Sequence, residues 1–295
     1  MLSPNVFLRF FALLSFLICV NCKDDRSVDT EMEEMNNNGI ALSTDMMGLG
    51  NFFGNVFSET VLIHVQSGPK TELQTPDFRT LLGTIDEDND YFIFNLHQSQ
   101  TLDATQLDHP LSDAQITAIN QQSIDYLSET IDYFSAQNKT VYVFGTGFGG
   151  YLVQAYLLQK GQDQADGFLI LGSRLDMPEL VANSFREGND GGFINGVTPF
   201  TGSPSTLTTL QTNLNKLFGQ LATVTFTREL SKYDDLTLLT YGYGTRDAAF
   251  GRLTQNERAL LITRQAKVLE FEGTHEETVL GLLEEGFSVA FSEEE

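Results

Sequence analysis

Three positions in this chain of 295 residues have the sequence surroundings of an acid, a base and a nucleophile. Gly147 stands between Gly145 and Gly149, where an apolar run gives way to a helical pattern. Asp247 ends a glycine-rich segment, and His275 follows a Gly-Thr pair. A histidine oriented by a carboxylate acts as a general base, and small residues on both sides of a sharp turn are typical of a turn that carries a nucleophile. The central glycine, however, supplies no hydroxyl.

Over roughly residues 60–285 the chain resembles the α/β-hydrolase superfamily, in particular its cap-bearing, esterase- and peptidase-like members. That family places a nucleophile turn, an acid and a base in the order in which this chain places Gly147, Asp247 and His275. The resemblance therefore implies that Asp247 is the acid, that His275 is the base, and that glycine has replaced the nucleophilic serine. The chain also looks like a group of Bacteroidota proteins.

The same resemblance assigns the amides of an oxyanion hole. Residues 64–69 resemble the loop that supplies one amide, from Ser67 or Gly68, and Phe148 is at the position that supplies the other. Taken alone, a Gly-Pro pair or an aspartate in a glycine-rich loop is an ordinary turn former. The assignment depends on the order of the segments, each of which follows its own predicted strand.

Glycine at position 147 predicts a catalytically impaired serine-hydrolase relative, a pseudoenzyme that binds a small molecule or peptide in the former pocket. In subtilisin, loss of the serine lowers kcat by a factor of about a million. An alternative stays open: a functional hydrolase of esters or peptides. In it, His275 would activate a water molecule, or a hydroxyl from Ser67 or Ser173 would take the place of the lost serine.

Residues 145–150 also spell G-x-G-x-x-G, the motif of dinucleotide-binding folds. Those folds carry the motif after their first strand and an acid after the second. Here two predicted strands come first, and the next strand ends in residues 172–174 without an acid. The hydrolase resemblance is therefore favoured, and no organic cofactor is expected. No metal is expected either, because the chain has only 4 histidines and none shows metal-ligand spacing.

The elements that must position these residues alternate between strands and helices. Continuous apolar runs, typical of strands covered on both faces, predict strands at 60–65, 91–95, 140–144, 167–172, 236–241 and 267–271. Helices are predicted at 112–137, at 148–160, from 254 onward and at 276–285, the first and third of them opened by capping boxes. This alternation predicts an α/β fold with a doubly wound, mostly parallel sheet.

One domain over residues 58–295 is predicted, with a cap inserted at about 174–232. That interval is rich in Gly, Ser and Thr, and it shows one helical piece near 207–221. An insertion beyond the carboxyl ends of the strands is where ligand-binding segments lie in such folds.

The N-terminus predicts export and lipid anchoring. Arg9 precedes an apolar run too short to span a bilayer, so residues 1–21 are interpreted as a signal peptide. Cys22 resembles the acylated cysteine of bacterial lipoproteins, and residues 22–57 read as an acidic, polar tether whose last part adds an edge strand. The resemblance to Bacteroidota lipoproteins implies an outer-membrane location, periplasmic or surface-exposed. Both cysteines of the chain lie in this region, so no disulfide is expected in the folded body.

The charge of the chain excludes one class of partner. With 17 basic and 40 acidic residues, the formal net charge is −23. Such a surface repels phosphate backbones, so nucleic acid is excluded as a partner.

Overall fold

The computed structural model describes residues 39–75, 80, 82, 90–202 and 207–291. The predicted signal peptide, Cys22 and the first part of the tether lie outside the described residues. The strands are β1 (Gly50–Gly54), β2 (Thr60–Val65), β3 (Tyr91–Leu96), β4 (Thr140–Thr146), β5 (Gly167–Leu171), β6 (Gly191–Ile194), β7 (Thr198–Thr201), β8 (Leu239–Gly244) and β9 (Lys267–Phe271).

Seven of these strands form one sheet, in the order β1-β3-β2-β4-β5-β8-β9. Strand β1 runs antiparallel to β3, and the remaining neighbours pair in parallel. The predicted mostly parallel sheet is confirmed. Strand β8 begins at Leu239 rather than at the predicted Leu236. The reason is a turn before the strand, closed by the Leu239 amide donating to the Leu236 carbonyl at 3.0 Å.

The helices in the described ranges are α1 (Thr44–Gly48), α2 (Ser99–Leu102), α3 (Asp113–Ser135), α4 (Phe148–Lys160), α5 (Glu179–Arg186), α6 (Thr209–Ala222), α7 (Phe226–Leu230), α8 (Gln255–Thr263) and α9 (His275–Phe291). Both predicted capping boxes are formed, by Ser112 with Gln115 and by Thr254 with Glu257. Among the described residues, none of these helices combines the length and the apolar character that crossing a membrane requires.

Both faces of the sheet are covered, which explains why its strands read as continuous apolar runs. On one face Ile63 of β2 packs in a core with Ile124 of α3 and Leu152 of α4. On the other face Leu62, the neighbouring residue of β2, packs in a core with Leu282 of α9. Side chains of a strand alternate between faces, so a strand buried on both sides needs an apolar residue at nearly every position.

The last part of the predicted tether carries an edge strand. The sequence predicts a tether over residues 22–57 whose last part adds an edge strand, and the compact unit begins at Gly39. Strand β1 pairs with β3, and Ile40 and Met46 are buried. A few buried apolar side chains hold this otherwise polar segment against the body. They are too widely spaced to give a periodic pattern in the sequence.

The cap insertion contains more structure than the single predicted helix. Helix α6 corresponds to that prediction, but α5, the β6–β7 hairpin and α7 also lie between residues 174 and 232. The hairpin escaped prediction because its strands are short and partly exposed, with Ile194 57% and Phe200 43% exposed. The insertion contacts the body where the Phe193 amide donates to the Ala248 carbonyl at 2.8 Å.

Candidate functional site

The candidate site lies at one edge of the sheet, where β2, β4, β8 and β9 end. Carboxyl ends of parallel strands meet at a common edge, and the loops beyond them form ligand sites. The register of β2 and β4 shows which residues lie next to each other at this edge: Val65 pairs with Gly145. Ser67 and Gly147 each follow those paired residues by two positions. The loops that carry them are therefore side by side.

Gly147 has the backbone conformation of a sharp strand-to-helix turn. Its φ is +51° and its ψ is −117°, a combination that side-chain-bearing residues adopt only under strain. The Gly147 amide donates to the Leu171 carbonyl at 3.1 Å. Its carbonyl accepts from the Ser173 hydroxyl at 2.6 Å. The turn is thus fixed by hydrogen bonds from the neighbouring strand end.

Gly149 allows the turn to approach β2, and Gly145 allows the helix after the turn to pack closely on β4. A Cβ at Gly149 would lie closer than 3.0 Å to the Val65 carbonyl oxygen, and a Cβ at Gly145 would lie 2.8 Å from Cγ2 of Val153. Phe148 opens α4 with its side chain fully buried. The first amides of a helix have no acceptor within the helix, so this end can receive a developing negative charge.

Two groups fill the space that a side chain at position 147 would need. A Cβ at Gly147 would lie closer than 3.0 Å to the Ser67 hydroxyl oxygen, a separation that Cβ atoms essentially never show. It would also lie 3.2 Å from the ring of Phe250. Ser67, assigned from the sequence to the oxyanion loop through its amide, therefore places its side chain at the nucleophile position.

The structure brings the predicted acid and base together. Nδ1 of His275 lies 2.8 Å from Oδ2 of Asp247. The other oxygen, Oδ1, accepts from the amides of Ala249 at 2.8 Å and Phe250 at 2.9 Å, and Asp247 is 1% exposed. Because the carboxylate requires a proton on Nδ1, the neutral imidazole keeps its lone pair on Nε2.

His275 lines a pocket of about 530 Å³, within the usual range of small-molecule sites. The pocket is bounded by the loop after β2, the end of β4 and the start of α9. Its lining residues are His64, Gln66, Ser67, Lys70, Gln74, Thr146, His275, Glu276, Val279 and Leu280. Ser67 and His275 thus face one cavity.

A second, smaller cavity of about 210 Å³ lies under the insertion. Gly68 and Phe250 line it from the body, and Phe185 and Phe218 line it from the cap. The ring of Phe250 lies 5.5 Å from that of Phe218 and 5.1 Å from that of His275. Phe250 is therefore in contact with both the cap and the base.

Sequence reasoning missed the residues that hold the loop after β2. The Gln66 side chain donates to the Glu72 carbonyl at 2.9 Å and accepts from the Gln74 amide at 2.7 Å. The Gln66 carbonyl accepts from the buried Gln98 side chain at 2.7 Å. A cluster of polar residues directly after the buried strands β2 and β3 could have indicated these residues. Polar groups at such a buried place need hydrogen-bond partners.

His64 is a second residue that sequence reasoning left without a role. Its Nδ1 lies 2.8 Å from Oδ1 of Asn95, which is fully buried on β3. Burial lowers the pKa of His64 to about 3, against a smaller opposing effect of the Asn95 hydrogen bond. His64 is therefore neutral near pH 7 and lines the pocket as a polar, uncharged wall.

Within the described ranges, no group of three or more His, Cys, Asp and Glu side chains is placed to hold a metal ion. The G-x-G-x-x-G segment comprises the last two residues of β4, Gly147 and the start of α4, and β4 lies in the middle of the sheet between β2 and β5. Its glycines serve the close packing of α4 against the sheet, Gly149 on Val65 of β2 and Gly150 on Ile170 of β5.

Solved structures establish what this architecture is. A carboxyl esterase from Bacillus coagulans, solved with glycerol, is 11% identical with a TM-score of 0.54, and the match covers 80% of this chain and 90% of that one. The α/β hydrolase MGS-M2 from a Medee basin deep-sea metagenome is 10% identical with a TM-score of 0.51, over 80% and 93%. The chain has an α/β-hydrolase fold.

A third neighbour, Est1E from Butyrivibrio proteoclasticus with bound ferulic acid, is 14% identical to this α/β-hydrolase-fold chain, with a TM-score of 0.50 over 81% of this chain and 92% of that one. No protein-family model and no curated protein sequence matches the chain. At these identities the likeness concerns the fold, and the chemistry must be argued from the site.

Proposed function

We propose that the protein is a hydrolase of carboxylic esters or peptides whose general base is His275, oriented by Asp247. The observation that carries the proposal is the 2.8 Å contact between Nδ1 of His275 and the buried Asp247 carboxylate, with His275 facing the larger pocket. A neutral imidazole held in this way accepts a proton through Nε2. Esters come first because structural neighbours include a carboxyl esterase.

The remaining groups have defined roles in such a reaction. Asp247 holds the imidazole in one tautomer and stabilises the imidazolium that forms. The amide of Phe148, at the start of α4, and an amide of the loop containing Ser67 and Gly68 are proposed to donate to the oxyanion. The pocket of about 530 Å³ accommodates the acyl or alcohol group.

Turnover of p-nitrophenyl acetate, butyrate and octanoate tests the proposal. The expected result is measurable hydrolysis that falls by a factor of about 10²–10⁴ in His275→Ala, the range of general-base contributions. The matched control is His109→Ala, which removes an exposed imidazole outside the pocket. Equal rates in the two variants, or no turnover by the unmodified chain, would contradict the proposal.

A second candidate is a binding protein without turnover, the function expected from a lost nucleophile. Its support is Gly147, which leaves the turn without a side chain of its own. In that case p-nitrophenyl butyrate would bind without being cleaved. Saturation-transfer NMR with this probe, on the unmodified chain and on Leu280→Trp in the pocket wall, distinguishes binding in the pocket from its absence.

We also propose that the protein is a lipoprotein of the bacterial outer membrane, acylated on Cys22, with the domain facing the periplasm or the exterior. The support is the sequence pattern of residues 1–25. Cys22→Ser should abolish incorporation of labelled palmitate and shift the protein from the detergent phase to the aqueous phase. Cys19→Ser, within the predicted signal peptide, is the control and should leave both unchanged.

A further inference from the structure

The turn that lost its side chain lies against a hydroxyl from another loop. The Ser67 oxygen is closer than 3.0 Å to the place where the Cβ of residue 147 would be. Cβ atoms essentially never show such a distance, so a side chain at 147 would require the Ser67 side chain to move. The hydroxyl therefore occupies the volume that a serine at 147 would use.

Strand pairing places the backbones that carry these two groups side by side. Val65 and Gly145 are partners in adjacent parallel strands, and Ser67 and Gly147 follow them at equal offsets. The Ser67 loop is held from both sides, because Gln98 donates to the Gln66 carbonyl and Gln66 binds the backbone of residues 72 and 74.

The Ser67 hydroxyl is also available for reaction. Within the described residues it makes no hydrogen bond, and Ser67 is half-buried in the wall of the pocket that His275 shares. The other candidate hydroxyl, on Ser173, is fully buried and is engaged by the Gly147 carbonyl at 2.6 Å. Of these two serines only Ser67 lines the cavity with the base.

We propose that Ser67 is the catalytic nucleophile of this protein, displaced by one loop from the usual turn; the proposal rests on the proposed function of His275 and Asp247. Once the ester has bound and brought Oγ of Ser67 within hydrogen-bond reach of Nε2 of His275, Oγ attacks the ester carbonyl carbon while its proton passes to Nε2. The carbon–oxygen bond to the alcohol then breaks, and the alcohol leaves with that proton.

Water completes the cycle. His275 takes a proton from a water molecule that attacks the acyl-Ser67 ester, the bond from the carbonyl carbon to Oγ breaks, and Ser67 regains the proton from His275. The products are one carboxylic acid and one alcohol per ester and water consumed. The amide of Phe148 remains available to the oxyanion in both steps, because the start of α4 adjoins the position that the hydroxyl occupies.

Labelling with a fluorophosphonate, followed by mass spectrometry of the peptides, locates the nucleophile in the full chain. Attack on phosphorus forms a P–O bond and expels fluoride. We expect the adduct on Ser67, its loss in Ser67→Ala, and at least a tenfold slower reaction in His275→Ala. Ser135→Ala, the same change on an exposed residue at the end of α3, should label at the unmodified rate.

The double variant Ser67→Gly, Gly147→Ser provides a test that does not rest on loss of labelling, which a folding defect could also cause. It exchanges the two side chains, so the adduct should move to position 147. The single variant Gly147→Ser should lose the adduct on Ser67, because its Cβ displaces the Ser67 hydroxyl. An unmodified chain that does not label, beside a Gly147→Ser variant that does, would overturn the proposal.

Ester turnover separates failure of this proposal from failure of the proposed function. Turnover that depends on His275 but is unchanged in Ser67→Ala would retain the base and overturn Ser67, leaving water as the attacking group. An adduct mapped to Thr146 or another residue would also overturn Ser67. Absence of both turnover and labelling in the unmodified chain would reject both proposals.

Discussion

The two halves of the candidate site are built differently. In the acid–base half, the loops after β8 and β9 present Asp247 and His275 at 2.8 Å with both carboxylate oxygens bonded. In the proposed nucleophile half, the loop after β4 supplies a turn without a side chain, and the loop after β2 places the Ser67 hydroxyl beside that turn. Under the proposal for Ser67, backbone geometry and reactive group come from separate loops of one fold.

The strongest test of the acid–base half is Asp247→Asn. The amide keeps the shape but favours the wrong imidazole tautomer, a change that lowers kcat by about 10⁴ in serine proteases. We expect a loss of about 10³–10⁴ in kcat for p-nitrophenyl butyrate. Asp125→Asn, on the exposed side of α3, is the control. A loss below tenfold would show that Asp247 does not orient the base.

Phe250→Ala tests the residue that joins the two halves. The ring is 7% exposed, lies 5.1 Å from the ring of His275, and lies 3.2 Å from the Cβ position of residue 147. Truncation of a buried phenylalanine lowers the free energy of unfolding by about 3–5 kcal/mol. Urea unfolding measures it, with Phe57→Ala (60% exposed) expected to change little. Equal effects would mean that Phe250 does not pack as described.

The pH dependence of stability tests the pocket wall behind the nucleophile half. With its pKa lowered from 6.5 to about 3 by burial, folded His64 stays neutral where the unfolded chain gains a proton. Stability is therefore complete above pH 6.5 and falls as the pH drops toward 3. By pH 4 the loss is roughly 3 kcal/mol, at about 1.4 kcal/mol per pKa unit.

The variant His64→Gln removes that titration. Urea unfolding at pH 7 and pH 4 should show a smaller decrease in the variant than in the unmodified chain, by roughly 3 kcal/mol. The carboxylates titrate in both proteins, so their contribution to the pH dependence cancels in the comparison. His109→Gln, at an exposed site, should follow the unmodified chain. Parallel curves for His64→Gln and the unmodified chain would rule out a buried, neutral His64.

The smallest expected effect belongs to the nucleophile turn itself. Gly147→Ala forces a side chain into φ +51°, ψ −117°, which costs about 1–3 kcal/mol. Its Cβ also displaces the Ser67 hydroxyl, so fluorophosphonate labelling should fall with it. Gly48→Ala is the matched control, because its Cβ would meet nothing within 4 Å. A stabilised Gly147→Ala variant would contradict the strained turn.

The sequence predicted the parts of the fold whose signal is local. Strands β2 and β9 match their predicted limits, because short segments rich in apolar and β-branched residues end at polar or glycine-containing boundaries. The starts of α3 and α8 were predicted because a capping box is a pattern of four residues. Strand β1 and the β6–β7 hairpin were not delimited, since short, partly exposed strands lack a periodic apolar pattern.

The candidate site divides in the same way. The order of the segments predicted that Asp247 and His275 meet, and the structure places them at 2.8 Å. The position of the Ser67 side chain depends on the pairing of Val65 with Gly145, whose strands are separated by more than seventy residues of sequence. Only long-range register reveals that contact, so the sequence left the Ser67 amide, the Ser67 hydroxyl and the Ser173 hydroxyl as open possibilities.

The contact between the Ser67 hydroxyl and position 147 has a consequence for the sequences that this fold accepts. Two routes of single substitutions connect the chain with the exchanged sequence, which carries serine at 147 and glycine at 67. One route passes through an intermediate with two hydroxyls in the volume of one, and the other passes through an intermediate with none. Substitutions at residues in contact are coupled, so the effects of the two changes are not expected to add.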